Sequence, residues 1–540
     1  MIRRVVVMMA GLTSVSPGVR SVSTVLAAVS ATGALMACRS AHEPAQAPLT
    51  VRVDSGSVRG VVKGKSRQFL GIPYAEPPTG ARRWTLPRNP RPWSGVRDAG
   101  RPGNDCMQDS SPETEKPPSE DCLYVNVTAP REQHGALPVM VWWHGGGFTQ
   151  GSGKDYDAVR LATEGKAVVV TVNYRLGIYG YLGLPGLAGS GDFGFADQIA
   201  ALRWARRNAS AFGGDPRNIT VFGQSAGAMS ACALLTSPEA EGLISKAIIS
   251  SGSCGLRWPA GGLFPGAPAD RPYVPVAQGQ DDGLAAAEEL GCTGKDALAC
   301  LRGKTNAELL PHSPSFSDHL AYGTELLPRD PATALRAGAF AHVPVLIGGT
   351  HDEARSFVAG AIRYDPKLIT STTYPRLLEQ AFGADARKVA ARYPLSRYPS
   401  AGLAWATVLT DASWACSTLA GARDLAARTT VYSYEFADEN APNVNGLHVP
   451  DVPQGAAHAT DLPYLFDLGG RDLLVNRDRK GLARTMVGYW GAFARSGDPN
   501  HRGAPRWRPG TAPLSLAPGA IRTVDAAAEH GCGFWETTTR

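Results

Sequence analysis

The segment Gly223-Gln224-Ser225-Ala226-Gly227 sets a serine among small residues. A G-x-S-x-G element of this kind suits a sharp strand-to-helix turn, which lifts the hydroxyl above a sheet edge where it can attack a carbonyl carbon. The pattern alone is weak, and its surroundings strengthen it. Ile219-Thr220-Val221-Phe222 reads as a strand running into it, and residues 226–235 read as a helix leaving it. Acyl transfer at a serine also needs donors for the oxyanion, a base and a carboxylate to orient the base. In Trp143-His144-Gly145-Gly146-Gly147-Phe148, three successive glycines leave backbone N–H groups open to a ligand. With the N–H of Ala226 they would form an oxyanion hole. A phosphate-binding loop is a poor reading of the same glycines, because no Lys-Ser/Thr follows them.

In this chemistry on an open α/β sheet the chain order is serine, acid, histidine. His458 lies on a loop after the strand-like Val431–Phe436, and His448 is its rival ten residues earlier. For the acid, Gly348-Gly349-Thr350-His351-Asp352-Glu353 leaves the strand-like run 343–347. Spacing permits either Asp352 or Glu353.

The elements that must hold these residues are readable as a series. Residues 139–143 and 167–172 are continuous apolar runs of strand length, as in a parallel sheet buried on both faces. Residues 197–212 and 485–495 have helical spacing, and residues 247–249 read as a further strand. Short strands are expected near Val51 and Val58, then surface loops through the proline-rich stretch 73–92. The Gly- and Pro-rich stretch 259–282 reads as an insertion near the site entrance. The expectation is one α/β unit over residues 51–540, a doubly wound and mostly parallel sheet with long insertions.

At 540 residues and 43% hydrophobic, the chain can bury a large core. Its net charge is +6, with three of those charges at Arg3, Arg4 and Arg20, which is too weak and scattered for nucleic-acid binding. Residues 1–37 read as an export signal, with basic residues leading an apolar run over 22–36, and residues 38–50 as a short linker. Leu35-Met36-Ala37-Cys38 is similar to a bacterial lipobox, so Cys38 is a candidate for lipidation and membrane anchoring. Eight further cysteines, an even number, suit disulfides in an exported protein. Spacing favours local loops Cys106–Cys122 and Cys292–Cys300. No CxxC pattern occurs and the histidines are scattered, so no metal site is expected.

Together these motifs resemble the type-B carboxylesterases, the family that includes the cholinesterases, in a bacterial form. The likeness runs along residues 212–227, through Glu120-Asp121-Cys122-Leu123-Tyr124-Val125-Asn126-Val127, and through Phe69-Leu70-Gly71-Ile72-Pro73-Tyr74-Ala75. The resemblance implies an α/β-hydrolase fold and a cofactor-free ester hydrolase with a small-molecule substrate. It implies Ser225 as nucleophile, Gly146, Gly147 and Ala226 as oxyanion donors, Glu353 as the acid and His458 as the base. Ser251 matches a serine that supports the acid. The implied disulfides are Cys106–Cys122, Cys292–Cys300 and Cys416–Cys532, which leaves Cys232 and Cys254 over. Two departures stand out. Gln224 replaces a common Glu, and the Cys106–Cys122 loop has no Trp or Tyr to stack a quaternary ammonium, so a choline ester is not an expected substrate. Other readings are a detoxifying esterase for a natural product such as a fumonisin, an amidase with the same triad, and a non-catalytic interaction module. The filled triad and oxyanion positions argue against the last of these.

Overall fold

Eleven strands make the central sheet: β1 (Val61–Lys63), β2 (Ser66–Pro73), β3 (Tyr124–Pro130), β4 (Leu137–Trp143), β5 (Val168–Val172), β6 (Gly214–Gln224), β7 (Lys246–Ser250), β8 (Val345–Thr350), β9 (Val431–Phe436), β10 (Gly510–Leu516) and β11 (Arg522–Thr523). These come from a computed structural model that describes residues 46–109, 117–133 and 135–538. The expected export signal and Cys38 lie outside the described residues.

The spatial order is β11-β10-β9-β8-β7-β6-β4-β5-β3-β2-β1. Pairing is parallel from β10 through β5 and antiparallel at both edges. The expected mostly parallel, doubly wound sheet is therefore present.

Alternation along each central strand feeds two cores. In β4, Val139, Val141 and Trp143 join one cluster, and Met140 and Trp142 join the other. Both faces being buried explains why these strands read as unbroken apolar runs. One face is covered by α1 (Phe193–Asn208) and α2 (Ala226–Thr236), and by α3 (Ala401–Leu409) and α4 (Cys416–Ala426). The other is covered by α5 (Arg477–Ser496), through Met486, Tyr489, Trp490 and Phe493. Between α3 and α4, Thr410–Ala415 forms a π-helical turn.

Several expected boundaries shift. The helix expected over 197–212 begins earlier, at Phe193, and ends in a 3-10 turn, Ala209–Phe212. Burial of Phe193 and Phe195 outweighs the low helix propensity of Gly194 between them. The expected linker is already tied to the body at its end. Gln46 bridges Glu132, and a strand starts at Thr50. Pro73 ends β2, and residues 74–92 form the expected loops with only a 3-10 turn. No helix among the described residues is long and apolar enough to cross a membrane.

Four disulfides close: Cys106–Cys122, Cys292–Cys300, Cys416–Cys532 and Cys232–Cys254. The fourth joins α2 to the loop after β7 and accounts for the two cysteines left over. Four such links suit a protein held outside the reducing cytoplasm.

Candidate active site

Ser225 stands where β6 ends and α2 begins, with φ 57° and ψ −128°. Positive φ on a non-glycine residue is strained, and strain of this kind gathers at functional turns. The glycines on either side make the turn possible. A Cβ on Gly223 would lie 2.3 Å from the Gly227 carbonyl oxygen, and one on Gly227 would lie 2.0 Å from that of Trp143. The Ser225 N–H donates to Ser250 O on β7, which fastens the turn to the sheet.

Glu353 follows β8 and is buried. Its Oε1 accepts the Thr350 N–H at 2.9 Å, and its Oε2 lies 2.5 Å from His458 Nδ1. The alternative, Asp352, faces away. It accepts the Ala456 N–H and contacts His351 and Arg355. His458 follows β9 and is buried, with its ring packed on Trp414 at 4.9 Å and Phe357 at 5.2 Å. Its Nε2 lies 3.0 Å from the Gln224 amide nitrogen, beside the serine turn. The rival His448 is exposed. Ser251 is buried beside Gly349, near Glu353, but its hydroxyl makes no hydrogen bond with a described residue. The Thr350 N–H already occupies Oε1.

Gly146 and Gly147 follow β4 with φ 103° and 59°. A Cβ on Gly146 would sit 2.2 Å from the Gln150 carbonyl oxygen. Ala226 is the first residue of α2, where an N–H has no partner within the helix. Ser225, Gly146, Gly147 and His458 line one cavity of about 280 Å³. A larger hollow of about 540 Å³ shares Trp258 in its lining and holds none of Ser225, Glu353 and His458.

The cavity walls come from segments whose role spacing could not reveal. Trp258 and Leu263 bring the edge of the expected insertion to the site, and Trp414 comes from the π-helical turn. Phe357 and Tyr156 complete an aromatic wall. Asp155 and Asp318 also line the cavity, and burial raises both carboxyls, Asp155 to about 7. No lysine or arginine is among the described residues lining it.

Behind Glu353, a second cluster escaped sequence reading. His530 Nδ1 lies 2.6 Å from Asp411, and its Nε2 lies 2.8 Å from Glu435. His351, Glu435 and His530 have donor atoms within 4.8 Å of one another, but a metal there would have to displace these ion pairs.

The carboxylesterase family model matches residues 47–516. The chain is 37% identical to the para-nitrobenzyl esterase of Bacillus subtilis, over 83% of this chain and 90% of that one. It is 34% identical to the fumonisin B1 esterase of Sphingopyxis macrogoltabida, over 85% and 84%. Neuroligin-2 of Mus musculus is 31% identical, over 82% of this chain and 60% of its own.

Proposed function

As a member of the carboxylesterase family with the α/β-hydrolase fold, this chain is a serine hydrolase of carboxylic esters, and we propose that it works through an acyl-enzyme on Ser225. In this reading His458 Nε2 takes the hydroxyl proton as Ser225 Oγ attacks the ester carbonyl carbon. The oxyanion is held by the N–H groups of Gly146, Gly147 and Ala226. Collapse breaks the carbonyl carbon–alkoxy bond, and His458 returns the proton to the leaving alcohol. Water then repeats the sequence, releasing the acid and free Ser225. Glu353 fixes the tautomer and direction of the ring and stabilises the imidazolium. The observation that carries this reading is the 2.5 Å contact between Glu353 and His458 Nδ1, with Nε2 turned to the Ser225 turn.

Ser225→Ala and His458→Ala test it. Each is expected to lower kcat by something on the order of 10⁶, while His448→Ala has little effect. A dead His448→Ala beside an active His458→Ala would move the base.

For substrate class, an apolar and aromatic wall around the nucleophile supports compact esters such as p-nitrobenzyl or p-nitrophenyl esters. A specialised role on an ester-bearing toxin draws support from the fumonisin B1 esterase likeness. We further propose that residues 1–37 direct export and that Cys38 carries a lipid anchor, leaving the enzyme on a membrane surface facing the periplasm or exterior. Metabolic labelling with a radiolabelled fatty acid tests the anchor. Label lost in Cys38→Ala supports it, and unlabelled protein rejects it.

A further inference from the structure

Asp318 is a non-glycine residue held at φ 57° on the rim of the catalytic cavity. Its N–H donates to Gly147 O at 2.9 Å, and Ser317 Oγ lies 3.3 Å from the same oxygen. The segment is therefore clipped to the glycine loop that is to hold the oxyanion. This conformation brings the carboxylate against that loop. A Cβ on Gly147 would lie 3.3 Å from Asp318 Oδ2.

The carboxylate has little to balance it. Ser317 Oγ donates to Oδ2 at 2.9 Å, and no lysine or arginine among the described residues pairs with it. The adjacent His319 is turned to Asp270 at 3.0 Å. Asp155 adds a second carboxyl to the lining, raised by burial to about 7, and the neighbouring Lys154 pairs with Asp105 at 2.7 Å. Both carboxyls are half-buried, and such charges are normally paired. Here no lysine or arginine among the described lining residues faces them; burial raises the Asp318 carboxyl, and Ser317, His319 and His458 offset that only in part. The remaining wall is aromatic. Phe357 stacks on Trp414 with ring centres 5.4 Å apart, and Trp258 meets Trp414 edge-on at 5.9 Å. Ring faces attract organic cations.

We propose that Asp318 is a specificity-determining residue that seats the cationic group of an ester substrate, such as an ammonium, between its carboxylate and the aromatic wall. The proposal rests on Ser225 being the nucleophile of this cavity. As the oxyanion forms beside Gly147, it adds a negative charge near Asp318. A substrate cation offsets that charge when it appears, so the preference falls on kcat/KM rather than on ground-state binding alone. An ester carrying a free carboxylate brings a further negative charge and is disfavoured, which counts against polycarboxylate esters as substrates.

The test uses two matched pairs: butyrylcholine with its uncharged isostere in which carbon replaces the ammonium nitrogen, and the p-nitrophenyl ester of γ-butyrobetaine with its own carbon isostere. In at least one pair the cationic member is expected to be favoured in kcat/KM by about tenfold or more. In Asp318→Asn, which also tolerates positive φ, the preference should fall to about threefold or less. On the wild-type enzyme, tetramethylammonium should inhibit hydrolysis of an uncharged ester competitively. Equal rates within both pairs, a preference that survives in Asp318→Asn, or no inhibition by tetramethylammonium each overturns the proposal. Cleavage of p-nitrophenyl acetate but of none of the four esters overturns the proposal, and cleavage of none of the five instead rejects the proposed Ser225 chemistry.

Discussion

His530 is the charge that fastens the C-terminal segment to the fold, and His530→Gln removes it. Burial alone would lower the ring's pKa. The hydrogen bonds that the charged ring donates to Asp411 and Glu435 outweigh burial and hold it at about 10, against the usual 6.5. At about 1.4 kcal/mol per pH unit, the charged ring is favoured by on the order of 5 kcal/mol. Burial also raises Asp411, so keeping that carboxylate dry takes back part of the gain. About 3 kcal/mol is left, the low end for breaking a buried pair. Other groups facing the cluster are His351, with ring centres 5.3 Å apart, and Tyr393, which donates to Asp411. Asp352 holds His351 at about 9.

The folded pKa is raised, so the stabilisation is fully present below about pH 6.5 and is lost as pH rises through about 10. With an unfolding entropy near 1 kcal/mol/K for a chain of this length, His530→Gln should melt about 3 °C lower at pH 6.5. The gap to wild type should close by about pH 10.5. Thermal melts at pH 6.5, 8, 9 and 10.5 on both proteins read it. A variant within 1 °C of wild type at pH 6.5, or a gap that widens with pH, refutes the reasoning.

Glu353→Gln should leave the fold intact and lower kcat by about 10⁴, because the amide no longer fixes the required tautomer; Asp352→Asn should lose far less, as steady-state assays will read. Gly146→Ala should lower kcat by about 10²–10³ through the clash with Gln150 O and the displaced oxyanion donor, visible in the same assays. Cys416–Cys532 closes the longest loop, with a sequence separation of 116. Its loss in Cys416→Ala/Cys532→Ala should therefore cost the most, about 4.7 kcal/mol by chain entropy against about 3 for a loop near 15 residues such as Cys106–Cys122. Denaturant melts of the two paired variants compare them, and a non-reduced digest should recover all four linked peptides.

The turn at Ser225 was legible because it is local. Ser225, the glycines around it and the strand and helix that carry it lie within a few residues of one another. The central strands were legible because burial on both faces writes an unbroken apolar run. The partners of Ser225 were legible only as alternatives. Asp352 and Glu353 are adjacent, and which one meets His458 depends on how the turn after β8 points its side chains. Family resemblance, rather than spacing, selected Glu353 and His458. The insertion at 259–282 was expected near the entrance, but the roles of Asp318, Trp258 and Trp414 were not legible. They reach the cavity from a loop, the edge of that insertion and a π-helical turn, whose placement depends on packing across the sheet. The His530 cluster gathers residues from β9, the π-helical turn and the C-terminal segment, so no window of sequence contains it.

The central claim is that an acyl group passes through Ser225. Rapid mixing with a p-nitrophenyl ester, followed by acid quench and peptide mass mapping, tests it most directly. The account predicts a burst of about one p-nitrophenol per enzyme, with the acyl mass on the peptide holding Ser225 and neither signal in Ser225→Ala. Sustained hydrolysis with the acyl mass on another residue, or an undiminished rate in Ser225→Ala, would contradict it.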